Sequence, residues 1–321
     1  MNRPFLILLV LAVFFPSLAL AQAPFPSKPV RMLLGFAPGS IQDVLVRLMS
    51  EPMGASLGQP VVIENRVGAG GRIAVEVTGK APPDGYTLVL GSAATHALAP
   101  YLVKALSYDP VKDFVPLSLA VRPAIGVVVN PSLPVKSIPE LMAYAKANPG
   151  KIAFGSTGVA SSFHLMGERI KLAAGVDMLH VPLTGGNDTL NAVLGNHVQL
   201  AFISPGQAGP YVASGKLRML AVGIAQRFPP YPDVPTLSEV LPGYEPVSDW
   251  FGYFAPAGTP APVASRLSLE AIKAINQPAV RSKLEATSLV VGSTAPELAA
   301  VLANDLQVYA RIIKAVGLPP Q

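Results

Sequence analysis

The residues that could do chemistry in this 321-residue chain fall in short clusters of glycine, serine and threonine. Gly39-Ser40, Gly91-Ser92, Gly155-Ser156-Thr157-Gly158, Ser161-Ser162 and Thr184-Gly185-Gly186 are the clearest. Several stand just before a helical pattern. A helix N-terminus carries unpaired N–H groups and partial positive charge, so it attracts anions. Glycine admits a ligand close to the backbone, and hydroxyls add directional donors. As a recurring pattern such clusters point to binding of a small carboxylate; singly, each is more readily a cap or a turn.

Other chemistry fits less well. Gly68-Ala69-Gly70-Gly71 lacks the third glycine of a dinucleotide loop, because Ile73 takes its place. Gly209 to Lys216 is one residue too long for a phosphate loop, and Leu217 replaces the magnesium-holding hydroxyl. Gly155 to Gly158 is one residue short of a nucleophile elbow. A Ser156 nucleophile with a histidine base stays open as a second reading. The histidines are His96, His164, His180 and His197. His96 and His180 lie near strand ends. His164 and Glu168 share a helix face at i,i+4, half of a metal site without its remaining ligands. The absence of cysteine excludes thiol catalysis, disulfides and Cys-ligated metals. No catalytic set, metal or cofactor is expected.

The elements that must position these clusters repeat one pattern, a short apolar strand, a small-residue turn and an amphipathic helix. Strands are expected at 30–36, 61–63, 86–90, 127–129, 152–154, 179–183, 200–203 and 217–222. Helices follow at 41–49, 73–79, 137–147, to 165, and 190–194. Continuous apolar strands point to parallel sheets covered on both faces. In such sheets ligands bind at the carboxyl ends of strands. Two blocks are visible, before and after about residue 124, with Pro-rich crossings at 122–131 and 229–246. Ser137 with Glu140, and Thr294 with Glu297, open helices as capping boxes. Leu298, Leu302, Leu306, Tyr309 and Ile313 form one apolar stripe for packing. Trp250, the single tryptophan, lies where the chain returns to the first block and is read equally as core or as hinge.

Met1 to Ala21 has a positive start, an apolar middle and a small-x-small end, which reads as a cleaved signal peptide. The mature chain is long enough for two domains. Its net charge of +5 is scattered, without the basic footprint of a nucleic-acid binder.

Many segments in order then resemble one family. They include Phe36-Ala37-Pro38-Gly39, Leu57 to Arg66, Gly68 to Gly71, Pro83-Asp84-Gly85-Tyr86, His180-Val181-Pro182, Trp250-x-Gly252 and Ala255 to Pro260. The chain resembles the Bug/TctC family, substrate-binding proteins of tripartite tricarboxylate transporters. The resemblance implies an α/β, two-lobed periplasmic binding protein fold (type II), each lobe a mainly parallel sheet flanked by helices, with two crossovers. Lobe 1 is expected at 22–124 and 246–321, and lobe 2 at 125–245. It also implies capture of a small carboxylate, handover to membrane transporter subunits, a periplasmic location and a monomer. A ligand-sensing module of a signalling complex is the third reading. The expected ligand contacts are Gly39, Ser40, Gln42, Asp43, Ser92, Thr95, His96, Ser156, Thr157, Gly158, Ser161, Ser162, Thr184, Gly185 and Ser204. Two departures stand out. Ser40-Ile41-Gln42 replaces a glycine and hydroxyl, and Leu183-Thr184 replaces a Tyr-Lys. Both point to a ligand that is smaller, less charged or more apolar.

Overall fold

A computed structural model describes residues 25–159, 161–246 and 249–320. The expected signal peptide lies outside them. The chain opens with β1 (Val30–Leu34), α1 (Ile41–Leu57), β2 (Val61–Asn65), α2 (Arg72–Gly79) and β3 (Thr87–Ser92). A π-turn at Ala94–Leu98 leads into α3 (Ala99–Leu102) and β4 (Phe114–Pro123). Next come β5 (Gly126–Val129), α4 (Ile138–Ala147), β6 (Ala153–Ser156), α5 (Ser162–Ala174) and β7 (Leu179–Pro182). They are followed by α6 (Gly186–Leu194), β8 (Leu200–Ile203), α7 (Pro205–Ala213), β9 (Arg218–Val222) and α8 (Leu237–Val240). The chain closes with β10 (Phe251–Pro256), α9 (Ala261–Ile275), α10 (Pro278–Glu285), β11 (Ser288–Val290) and α11 (Ala295–Val316).

Two sheets result. One has the order β11-β4-β10-β3-β1-β2, the other β7-β6-β8-β5-β9. The strands of the second sheet all lie between those of β4 and β10 in the chain, so the backbone passes from sheet to sheet twice. The sheets are mixed rather than purely parallel. After the first crossing, β5 runs antiparallel to both its neighbours, β8 and β9. After the second, β10 does the same between β3 and β4. Each crossing thus delivers a strand from the opposite end of its new sheet. The remaining apolar strands run parallel as expected, apart from β11, which pairs antiparallel with β4.

Both faces of each sheet are covered, so the strands need not alternate apolar with polar. Met32 and Leu34 pack with Leu45, Met49 and Leu267 under α1 and α9. Leu33 faces the other way, toward Val75, Leu298 and Tyr309. In the second sheet Val127 and Phe202 pack with Leu141 and Ile170, while Val128 and Ala201 pack with Val193 and Ala208. The capping box of α11 forms; Ser137 caps α4, but the Glu140 side chain accepts from the Lys136 N–H rather than closing a second box. Sequence pattern missed β4, the longest strand, because Pro116 and Pro123 interrupt it. Pro116 sits where the β4–β10 register shifts, the kind of irregularity at which a sheet tolerates proline.

Topology fixes where the strand ends go. Gly126 pairs with Ile203, so the carboxyl end of β8 lies at the first crossing. Phe251 pairs with Ser92, so the carboxyl end of β3 lies at the second. The parallel partners β1, β2, β6 and β7 end on the same sides. The small-residue turns after β1, β3, β6, β7 and β8 therefore lie on the side of each sheet where the chain crosses.

Candidate functional site

The wall from the first sheet is knitted to itself. Ser40 caps α1 by accepting the Asp43 N–H at 3.2 Å. Asp43 is 2% exposed and accepts from Gly39 N–H (3.0 Å), Arg47 Nε (2.8 Å) and Asn65 Nδ2 (3.1 Å). Asn65 also donates to the Phe36 carbonyl at 2.8 Å, tying the end of β2 to the β1–α1 turn. Burial works to raise the Asp43 pKa, but these donors, Arg47 foremost, win and hold the carboxyl below its ordinary value. Gln42 lies half-buried in the first turn of α1. Gly35 must be glycine because a Cβ there would fall 2.3 Å from Gly71 Cα.

The β3 turn is closed in the same way. Thr95 Oγ1 accepts the Ser92 N–H at 3.0 Å, Ser92 Oγ accepts the Thr95 N–H at 3.2 Å, and Tyr108 donates to the Thr95 carbonyl at 2.6 Å. His96 is fully buried. It stacks on Phe254 at 4.1 Å and meets Phe114 edge-on at 5.1 Å. Burial lowers its pKa to about 3, so it is neutral at physiological pH. The ring that sequence spacing set beside a ligand thus sits among aromatic core residues.

The wall from the second sheet is built differently. Ser156, fully buried at the end of β6, lies with Oγ 2.7 Å from His180 Nε2 and accepts the Gly158 N–H at 3.2 Å. Gly158 has φ +120°, a left-handed conformation that favours glycine. Ser161 caps α5, accepting the His164 N–H at 3.1 Å and donating to the Gly158 carbonyl at 2.7 Å. Thr157 is half-buried beside them. His180 stacks between Phe154 (5.0 Å) and His164 (3.8 Å). Burial, then the neighbours His164 and Lys171, lower its pKa to about 4.

Two hydroxyls on this wall lack a hydrogen-bond partner among the described residues, Ser162 Oγ and Ser204 Oγ. Ser162 opens α5 and Ser204 opens α7, and both are more than nine-tenths buried. Ser162 lies near enough to the Asp249 carboxyl to favour its charge, without a hydrogen bond of normal geometry. Thr184 donates to the Asp188 carboxylate in the first turn of α6. Gly185, the N-cap of that helix, faces open space where a Cβ would stand.

The crossings join the walls. The Ala93 N–H donates to the Trp250 carbonyl at 3.1 Å, and the Ala124 N–H to Thr287 at 3.1 Å. Trp250 is fully buried at the second crossing, and its Nε1 donates to Asp305 at 2.8 Å, so it is both core and crossing residue. Leu165 of α5 packs into the first sheet's core beside Trp250 and Leu298. Asp249 precedes Trp250. Burial pushes its pKa up to about 7, aided by Asp305 and opposed by the Trp250 N–H, Ser162 and Arg122. Sequence pattern did not mark Asp249, Asp305 or Arg122; the sole signal was an acid next to the lone tryptophan at a crossing.

Chemically, the arrangement offers hydroxyls, neutral histidines and helix N-termini. His164 approaches Glu168 at 3.9 Å and turns its face to His180. Among the described residues no three His, Cys, Asp or Glu side chains cluster as metal ligands. Ser156 and His180 are within hydrogen-bond reach, yet the serine is sealed and His180 has no carboxylate behind it among the described hydrogen bonds.

Two mixed sheets joined by two crossings, with polar helix starts at the strand ends on the crossing side, are the plan of a two-lobed solute-binding protein. The profile of the tripartite tricarboxylate transporter family receptor, TctC, matches residues 45–318. The chain belongs to the TctC family. It is 38% identical over 267 residues to the UPF0065 protein in the gbd 5′ region of Cupriavidus necator, covering 83% of this chain and 80% of that one. An R. palustris protein solved with adipate superposes with a TM-score of 0.87 at 30% identity, covering 92% of this chain and all of that one. MatC of Rhodopseudomonas palustris with bound malate gives 0.82 at 30% identity, covering 90% and 100%. The protein is thus a solute-binding receptor.

Proposed function

We propose that this receptor captures a small aliphatic dicarboxylate between residues 25–124 and 246–320 on one side and residues 125–245 on the other. It releases the solute unchanged. The observation that carries this is a pair of buried hydroxyls at helix starts, Ser204, without a partner among the described residues, and Ser162, set near the Asp249 carboxyl. A buried hydroxyl without a partner is costly, and an acceptor from outside the chain offsets that cost. Relatives solved with adipate and malate support a dicarboxylate. Ile41 and Leu183, both half-exposed beside the gap turns, favour an aliphatic spacer over a hydroxylated one.

The proposed contacts are Ser162, Ser204, Gly158, Thr157, Thr184 and Gly185 on one side, with Gly39, Ser40 and Gln42 opposite. Asp43, Ser92, Thr95, His96, Ser156 and Ser161 hold those turns in shape. The periplasm is the proposed location, with cleavage near Ala21. Membrane subunits of a tripartite transporter are the proposed recipients. Calorimetric titration with glutarate, adipate, malate and citrate tests the ligand class. Adipate or glutarate should bind at least tenfold more tightly than malate; a preference for citrate would overturn the aliphatic reading.

The Ser156–His180 contact favours a second reading, an esterase. It predicts hydrolysis of p-nitrophenyl acetate that is lost in Ser156→Ala. Binding of adipate without such turnover decides for the receptor alone.

A further inference from the structure

Away from the gap, a cavity of about 220 Å³ opens between α5, the Gly243–Glu245 segment and α11. Arg169 lines it. That residue is 8% exposed, and its Nη1 has no hydrogen-bond partner among the described residues. Among the described residues its Nη2 meets a loose partner, Glu245 at 3.8 Å, whose side chain is 83% exposed. The guanidinium also lies 5.1 Å over the Tyr244 ring. Arg311, exposed, also lines the cavity. The remaining wall is apolar, formed by Leu172, Ile312, Ala315 and Val316.

A buried guanidinium with unused N–H groups is an unfinished anion site, because its planar fork matches a carboxylate. Glu245 fills it poorly and from solvent. The apolar wall alongside selects a ligand with a hydrocarbon end, and the small volume limits that end to a few carbons. We propose that this cavity is a second ligand site, for a short-chain monocarboxylate whose head displaces Glu245 from Arg169. The site is separate from the gap but shares α5 with it, since Ser162 starts the helix whose later turns carry Arg169 and Leu172. A ligand held by both α5 and α11 bridges elements packed on different sheets. Its occupancy therefore couples to any movement of one against the other.

The test is a methyl-labelled NMR titration of the full mature chain with hexanoate, with adipate present throughout to occupy the gap. The Ile312 and Leu172 methyls should shift and saturate at millimolar hexanoate. Glu245→Gln, which removes the competing acid, should tighten binding severalfold. Ala315→Trp, on an exposed position, should abolish it by filling the space, and Arg169→Lys should weaken it at least tenfold. Acetate should bind far more weakly than hexanoate. Unchanged Ile312 methyls, equal response to acetate, or hexanoate binding retained in Ala315→Trp would each overturn the proposal. The Ile312 readout is independent of whether adipate binds the gap.

Discussion

The two walls of the gap use the same residue types to opposite ends. On the first sheet's side the hydroxyls and the acid are consumed within the protein: Ser40 by Asp43, Ser92 and Thr95 by each other, Asp43 by Gly39, Arg47 and Asn65. On the second side Ser156 and Ser161 shape the turn, but Ser162 and Ser204 remain without partners. The first wall spends its turn hydroxyls on itself, though His96 Nε2 is buried there without a partner among the described residues, and the second keeps two hydroxyls in reserve. The lesson is that folding decides how much of the polar capacity of a Gly/Ser cluster at a strand end is left over for a ligand.

The largest expected effect that would break this contrast is on stability. Asp43→Ala leaves the Gly39 N–H, Arg47 and Asn65 without their acceptor and should cost about 3 kcal/mol in urea unfolding. Because the folded pKa of Asp43 is depressed, its contribution is present above the unfolded carboxyl value and lost as pH falls through the folded one. The variant should therefore lose part of the acid-unfolding slope. An Asp43→Ala protein as stable as wild type would show that the first wall is not self-supporting.

Ser204→Ala should do the reverse. It should lower adipate affinity about tenfold, in the range of a hydrogen bond to a charged group, while leaving the unfolding midpoint unchanged. Ser92→Ala should lower stability and leave affinity within about twofold. Equal calorimetric effects of the two would erase the distinction between the walls.

Two titrating groups sharpen the comparison further, with opposite signs. His180 has a folded pKa of about 4, below its unfolded value, so the unfolded chain binds more protons between the two. Stability from His180 is complete above about pH 6.5 and is lost as pH falls toward 4. Asp249 has a folded value of about 7, above its unfolded one, so stability falls as pH rises from about 4 to 7. Asp249→Asn should stabilise the protein at pH 8, and His180→Gln should flatten the slope between pH 4 and 6.5, both measured by thermal unfolding. The smallest effect on stability should come from Thr184→Val, which removes an exposed bond to Asp188. It should cost about 0.5–1 kcal/mol, read by urea unfolding.

Much of the second sheet was legible, because Val127, Phe154 and Leu200 lie in short apolar runs bounded by glycine and proline. β10 was not, since Phe251 to Pro256 follows a Pro-rich stretch and its direction depends on which sheet it joins. Ser92 and Ser162 look alike as residues before or within a helix start. His96 and His180 look alike as rings near strand ends, though one lies in an aromatic core and the other bridges to a serine.

The sequence by itself settled what acts over a few residues: strand and helix periodicity, caps such as Thr294 with Glu297, and the placing of small residues at turns. These depend on local backbone sterics and local burial. Only the tertiary structure decided which hydroxyls stay free, that Asp249 and Asp305 meet at Trp250, and that Arg169 borders a cavity with α11. Those outcomes depend on partners dozens to more than a hundred residues away, and a polar atom's worth is set by whether such a partner reaches it.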